Sequence, residues 1–199
     1  MSTAPVCIIG AGPCGLAAAI AMKHAGIPAV VFEQGCLVSS ISQYPTYITF
    51  FSSADKISIG DVPFPVAGEK PTRQEAMAYY RSATTRHSLD VRQYERVVDV
   101  RRDGDGFVVT TEPQSGERRE TRARAVVVAT GYFGTPNRLG VPGEDLPHVT
   151  HYFREGHDGF QQDVVVVGGG NSAVEAALDL HRCGARATIV HFGPTWDKN

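Results

Sequence analysis

The sequence predicts an α/β chain with two dinucleotide-binding units in tandem. Three observations predict it. An apolar run at residues 6–9 leads into G-x-G-x-x-G and then a helical stretch, and residues 163–182 repeat that strand–turn–helix order. Between the two, a third apolar run ends in Ala129-Thr130-Gly131. A single glycine turn arises easily by chance; two turns in matching contexts are far more specific.

In the first unit, VCII reads as a buried strand, Gly10-Ala11-Gly12-Pro13-Cys14-Gly15 as the turn, and Leu16 onward as a helix. Gly10 permits the tight turn, Gly12 lets backbone approach a diphosphate, and Gly15 lets helix and strand pack closely. The free N–H groups and dipole of the first helical turn then favour the anion. A second strand, residues 29–32, ends in Glu33, with seventeen residues between Gly15 and that carboxylate. An acid at this strand tip is placed to accept hydrogen bonds from ribose hydroxyls.

Residues 34–70 show weak periodicity but hold Tyr44, Tyr47, Phe50, Phe51 and Phe64, too aromatic for a disordered linker. Two readings of Tyr44, Phe50 and Phe51 stand here: walls for a flat ring system, or core beneath a long loop. Pro71 is expected to open a helix over residues 72–87. Strands are predicted at 91–94 and 97–101, a hairpin turn at 102–106, a strand at 107–110 and another at 123–130. That last strand is expected to return beside the first, with Gly131 bringing backbone close to a ligand.

The second unit has a strand at 163–167, a turn through Gly168, Gly170, Asn171, Ser172 and Ala173, a helix over 174–182 and a strand at 187–191. Its second strand ends in His191 where the first unit has Glu33. A carboxylate repels a 2′-phosphate, whereas a neutral or cationic group tolerates one. The first site therefore suits FAD and the second NADPH. The preference for NADPH is the weaker of the two, since Phe192 stands where an arginine would decide it, and a strand-end histidine facing water is the bland alternative.

Composition excludes several classes. The chain is 42% hydrophobic and 20% charged with a net charge of −2, so nothing pulls it broadly toward nucleic acid or an anionic membrane. No apolar run approaches the roughly 20 residues that span a bilayer, and the N-terminal run, broken by Gly10, Gly12 and Pro13, lacks the pattern of a signal peptide. Cys7, Cys14, Cys36 and Cys183 form no C-x-x-C pair and no metal spacing, which makes a reducing, cytoplasmic location the default. No metal site is expected.

Two glycine turns joined by an ATG strand resemble the two-dinucleotide-binding flavoproteins, of which thioredoxin reductase is the compact form. GAGPCG, the block running YPT, FFSS and IGDVPF, and ATGYFG are more particular, and they resemble the bacillithiol disulfide reductase family over essentially the whole chain. The resemblance implies a Rossmann-like FAD-binding domain whose first part is residues 1–140, then the start of a second Rossmann-like NAD(P)H-binding domain over 141–199, truncated relative to the family pattern. Activity of the isolated chain is thereby in doubt, and the cut is expected to expose strand edges and apolar faces. It also implies hydride transfer from NADPH to the flavin, electron transfer on to a small-molecule disulfide, and a homo-oligomer at full length. On this pattern the FAD ligands include Gly10, Gly12, Pro13, Cys14, Gly15, Glu33, Gln34, Tyr44, Thr130 and Gly131.

Thioredoxin reductases relay electrons through a C-x-x-C ahead of the second turn, and residues 148–155 hold no cysteine, so that relay is ruled out. Cys14 is the remaining candidate catalytic thiol, since a cysteine in a helix's first turn is favoured as thiolate by the dipole. Against this, the same helix end serves an anionic diphosphate, and a small residue needed only for packing explains Cys14 equally well. Two rivals remain open. Flavin-dependent monooxygenases share both units, but their F-x-G-x-x-x-H pattern is missing from residues 146–152. A non-enzymatic dinucleotide-binding redox module fits the absent C-x-x-C.

Overall fold

Strand β1 (Val6–Ile9) sits at the centre of the first unit because both its neighbours are parallel and both its faces are covered. The computed structural model describes residues 4–193. They divide into one unit running to Gln43 and resuming over Ile48–Leu139, and another of Tyr44–Tyr47 with the residues from Gly140 onward. In the first unit, β1 is followed by helix α1 (Pro13–His24) and strand β2 (Ala29–Phe32). Two short helices, α2 (Ser39–Ser42) and α3 (Ala54–Ile57), lead to α4 (Arg73–Arg86) and strand β3 (Val91–Arg92). An antiparallel meander of β4 (Glu95–Asp103), β5 (Gly106–Pro113) and β6 (Arg119–Ala123) precedes β7 (Ala125–Val128).

The parallel sheet has the order β3-β2-β1-β7. Ile9 lies opposite both Phe32 and Val128, so the three central strands end level and release Gly10, Glu33 and Ala129 at one edge. The crevice beyond β1, where neighbours are drawn from opposite directions, is where such sheets bind ligands. Cys7, Ile8 and Leu16 are fully buried; burying each large aliphatic side chain is worth about 1.5–3 kcal/mol. One face of the sheet packs Cys7, Val30 and Phe32 against Val109 and Ala123 of the meander.

Several boundaries differ from the sequence reading, each for a local reason. Helix α1 begins at Pro13 rather than Leu16, because proline suits the first helical position where no N–H is needed. Pro71 precedes α4 without opening it; Thr72 is the cap, in a reciprocal capping box with Glu75. The strand expected at 123–130 is two strands in different sheets, broken at Arg124. Strand β6, RETRA, is too polar to show as a strand; only its Ala123 is buried, and Arg101 reaches across β5 to Glu120 at 3.1 Å.

The aromatic segment is pinned rather than loose. The Tyr79 hydroxyl accepts the Ile59 N–H at 2.6 Å and lies 3.0 Å from the Val62 carbonyl, and Phe64 stacks on the Tyr79 ring at 3.9 Å. Phe51 is exposed and Phe50 half-buried.

The second unit pairs β8 (Asp163–Val167) with β9 (Arg186–Val190) in parallel, with α5 (Asn171–Arg182) between them in sequence. Helix α5 buries Ala176, Ala177 and Leu180, while Val165, Val167 and Val190 are exposed. The segment Tyr44–Tyr47 belongs here: the Thr46 N–H donates to the Arg154 carbonyl at 3.1 Å, and its hydroxyl to Glu155 at 3.2 Å. The sequence reading placed these four residues with the first unit.

Candidate dinucleotide sites

The three glycines of the first turn sit in three different environments. A Cβ at Gly10 would lie 2.4 Å from the Ala129 carbonyl oxygen, and the residue has φ +105°. At Gly15 a Cβ would lie 1.9 Å from the Gly10 carbonyl oxygen. Both glycines are therefore required by the protein's own packing. At Gly12 a Cβ would meet nothing within 4 Å. Gly12 caps α1, and the absence of a side chain there leaves room on the solvent side of the turn for a ligand's diphosphate.

The helix ends themselves divide into two kinds. Helix α4 caps itself with the Thr72–Glu75 box. Helices α1 and α5 have Gly12 and Gly170 as their N-cap residues, with no side-chain cap and no acidic residue in the first turn. The first N–H groups of a helix have no partner within it and must find one. At α1 and α5 no side chain of the cap residue meets that need.

Glu33 lies at the tip of β2 and is buried. Its Oε2 accepts the Ala11 N–H at 2.9 Å; its Oε1 accepts the Gly35 N–H at 2.9 Å and the Ser39 hydroxyl at 3.0 Å. The Ala11 carbonyl in turn accepts the Val38 N–H at 3.1 Å. Both polar groups of the Ala11 peptide are thus taken by the loop after β2, which fixes the turn before any ligand arrives. That loop is gripped from outside by residues 93–95. The Gln93 side chain accepts the Leu37 N–H at 2.6 Å, and the Tyr94 and Glu95 N–H groups donate to the Gly35 and Glu33 carbonyls at 3.0 and 2.9 Å. Gln34 is exposed beside Arg96, whose Nε donates to it at 3.4 Å. Thr130 and Gly131 are exposed just past the Ala129 that closes on Gly10, and Gly131 has φ +65°. Pro13 and Cys14 occupy the first turn of α1. Tyr44 falls in the second unit, whereas the other residues expected to hold FAD belong to the first.

In the second unit, Gly168 has φ +139° and donates its N–H to the Val190 carbonyl at 2.9 Å. Asn171 and Ser172 are exposed in the first turn of α5. Ala173 stands where the first unit has Gly15; its Cβ would lie 3.4 Å from a Cβ on Gly168, so helix and strand are spaced widely enough for a methyl group. The His191 ring lies over Gly169, where a Cβ would come within 2.3 Å of Nδ1. His191 thus borders the glycine turn as well as the strand tip, and a side chain at Gly169, which the sequence pattern leaves unspecified, would displace the His191 ring.

The four thiols are distinct. Cys14 is exposed; Cys7 is buried, and that burial pushes its thiol up to about 11, partly offset by Arg92. The Cys36 thiol donates to the Ser42 hydroxyl at 3.6 Å. Cys183 caps the end of α5. Among the described residues no cluster of three or more His, Cys, Asp or Glu could hold a metal ion, and no helix is long and apolar enough to cross a membrane.

The family model for pyridine nucleotide-disulphide oxidoreductases matches residues 7–199. The chain belongs to that family. Membership implies a flavin and a nicotinamide nucleotide. The chain is similar to bacilliredoxin reductase Bdr of Bacillus subtilis, at 49% identity over 94% of this chain and 56% of that protein. It is also similar to the solved structure of bacillithiol disulfide reductase Bdr from Bacillus cereus: TM-score 0.93, 48% identity, 98% of this chain and 61% of that one. Indole-3-pyruvate monooxygenase YUCCA6 of Arabidopsis thaliana is a more distant relative, 31% identical over 94% of this chain and 47% of that protein. The chain spans about half the length of the curated relatives it matches.

Sequence reasoning found both glycine turns and the acid at the tip of β2. It missed Ala11, Val38, Ser39 and Gly169, which build the walls around them. None of these has a sequence signature, because each acts through a backbone group or a contact made only in the folded chain.

Proposed function

We propose that this chain carries the FAD-binding and NADPH-binding segments of an oxidoreductase that reduces a low-molecular-weight thiol disulfide, bacillithiol disulfide being the leading example. The observation that carries the reading is the pair of bare glycine caps on α1 and α5, set against the self-capped α4. The similarity to the two Bdr proteins supports the substrate class.

On this reading, residues 1–140 are the first part of the FAD domain and residues 141–199 begin the NAD(P)H domain; positions 194–199 lie outside the described residues. Gly10, Gly12, Pro13, Cys14 and Gly15 form the FAD diphosphate cradle, Glu33 takes a ribose hydroxyl, and Gln34, Thr130 and Gly131 complete that site. Gly168, Gly170, Asn171, Ser172 and Ala173 hold the NADPH diphosphate, with His191 toward the 2′-phosphate. A bound flavin would supply the two-electron relay between nicotinamide and disulfide. Overall, NADPH and one proton split one disulfide into two thiols. Cys14 is the thiol that exchanges with the disulfide, since it is exposed at the cradle. The whole protein acts in the cytoplasm as a homo-oligomer.

Anaerobic titration with NADPH, followed by bacillithiol disulfide, tests this: the bound flavin is expected to bleach and then recover its absorbance. A protein that binds FAD but does not bleach would be a non-enzymatic module. Replacing Cys14 by Ala is expected to leave FAD binding intact and abolish disulfide reduction; unchanged turnover removes Cys14 from the mechanism. The similarity to YUCCA6 keeps a monooxygenase as the second reading, and that reading requires oxygen consumption with incorporation of one oxygen atom into a substrate.

A further inference from the structure

We propose that Ser39 is a positioning residue for the ribose-binding carboxylate, and that it leaves Glu33 able to receive one ribose hydroxyl rather than two. The inference rests on the assignment of the first glycine turn to FAD.

An ionised carboxylate offers about four lone-pair sites, two on each oxygen. On Glu33, Oε1 is filled by the Gly35 N–H and the Ser39 hydroxyl, and Oε2 already holds the Ala11 N–H. One acceptor site is left, on Oε2. A carboxylate free on both oxygens would grip the two neighbouring ribose hydroxyls together; this one reaches only one of them.

Ser39 is held in place from three sides. Its carbonyl accepts the Ser42 hydroxyl at 2.7 Å. Val38, immediately before it, is tied to the Ala11 carbonyl and sits in the left-handed region at φ 49°. Gly35 gives Ser39 its room, since a Cβ at residue 35 would lie 3.0 Å from the Ser39 Cβ. The serine hydroxyl therefore meets Oε1 because the backbone on both sides leaves it little other direction. Glu33 is buried, so the carboxylate cannot rotate to water to regain a free oxygen.

The test uses the protein with ADP, 2′-deoxy-ADP and 3′-deoxy-ADP as probes in binding titrations. The wild-type protein is expected to lose about tenfold or more in affinity, the size of one hydrogen bond to a charged group, for one deoxy analogue and less than about twofold for the other. In Ser39→Ala, Oε1 regains an acceptor site, and the two analogues are expected to lose affinity to similar extents. Ser39→Thr keeps the hydroxyl and restores the asymmetry. A serine serving only to support the loop would weaken all three ligands equally. Gly35→Ala, which crowds Ser39, is expected to act like Ser39→Ala and covers the case in which that variant does not fold. Equal losses in the wild type, or an asymmetry that survives Ser39→Ala in a folded protein, overturn the inference while leaving the FAD assignment standing. A wild-type protein that binds neither ADP nor FAD overturns both.

Discussion

The Glu33 carboxylate reaches back 22 residues to take the Ala11 N–H at 2.9 Å, joining the tip of β2 to the glycine turn after β1. The same group thus braces the glycine turn, and it is the one proposed to take a ribose hydroxyl. Replacing Glu33 by Gln keeps the shape but removes the charge and puts an NH2 in place of one oxygen, facing at least the Ala11 N–H. Hydrogen bonds to a charged acceptor are each worth about 1.5–3 kcal/mol. Glu33→Gln is therefore expected to lower stability by about 2–4 kcal/mol even without cofactor. Urea unfolding of the cofactor-free protein measures this; a loss seen only with FAD bound would mean that the carboxylate does nothing until the ribose arrives.

The three glycines of the first turn should separate cleanly on substitution by alanine. At Gly10 and Gly15 the new methyl would collide with a backbone oxygen, at 2.4 and 1.9 Å. Each is expected to cost more than about 3 kcal/mol, in the range where cores are disrupted. Gly12→Ala meets no protein atom within 4 Å. It is expected to change stability by less than about 1 kcal/mol, the usual range for helix-cap positions, while weakening FAD binding at least tenfold. Thermal melts with and without FAD would show the split, and a Gly12→Ala protein that binds FAD normally would move the diphosphate elsewhere.

These contrasts mark how far the sequence could be read. Gly10, Gly12 and Gly15 look alike in the motif, yet Gly10 and Gly15 are demanded by the Ala129 and Gly10 carbonyls while no protein atom demands a glycine at 12. The strands VCII and AVVF were legible because burial on both faces makes them continuous apolar runs, and DVVVV was legible by its β-branched run although Val165 and Val167 are exposed. RETRA was not, because an exposed meander strand held by cross-strand contacts and ion pairs carries no apolar signal. Glu33 was legible by spacing from Gly15. Ser39 and Val38 were not, since their importance comes from bonds to residues 33 and 11 that only folding brings near. The exchange of Tyr44–Tyr47 into the second unit is a long-range contact with residues 154 and 155, which local pattern cannot foresee.

The Cys7 thiol should make stability fall at alkaline pH. Its folded value is about 11 against 9.0 when solvated, chiefly through burial. Below pH 9 both states hold the proton and the stability is fully present. Between about pH 9 and 11 the unfolded chain gives its proton up while the folded one keeps it, so stability drops, by about 2–3 kcal/mol over the window. Cys7→Ala is expected to flatten that part of the stability–pH curve, apart from a constant offset for lost packing. An alkylating reagent at pH 8 should label exposed Cys14 and leave Cys7 unmodified until the protein unfolds; rapid labelling of Cys7 would contradict its placement in the sheet.

Val38 combines two opposed contributions that one substitution can weigh. It is a β-branched residue at φ 49°, ψ 45°, and only 2% exposed. Left-handed backbone at a non-glycine residue costs on the order of 1–3 kcal/mol, while burying a valine side chain is worth about 1.5–3 kcal/mol. Val38→Gly removes both. Val31, 1% exposed on β2, is buried to the same degree in ordinary extended backbone, so Val31→Ala loses packing with no relief of strain. Despite deleting more atoms, Val38→Gly is therefore expected to be the milder change, within about 1 kcal/mol of wild type, while Val31→Ala costs about 1.5 kcal/mol or more. Parallel urea titrations rank them. If Val38→Gly proves the more damaging, the left-handed turn is not strained, and the valine is there because its side chain seals the loop over Ala11.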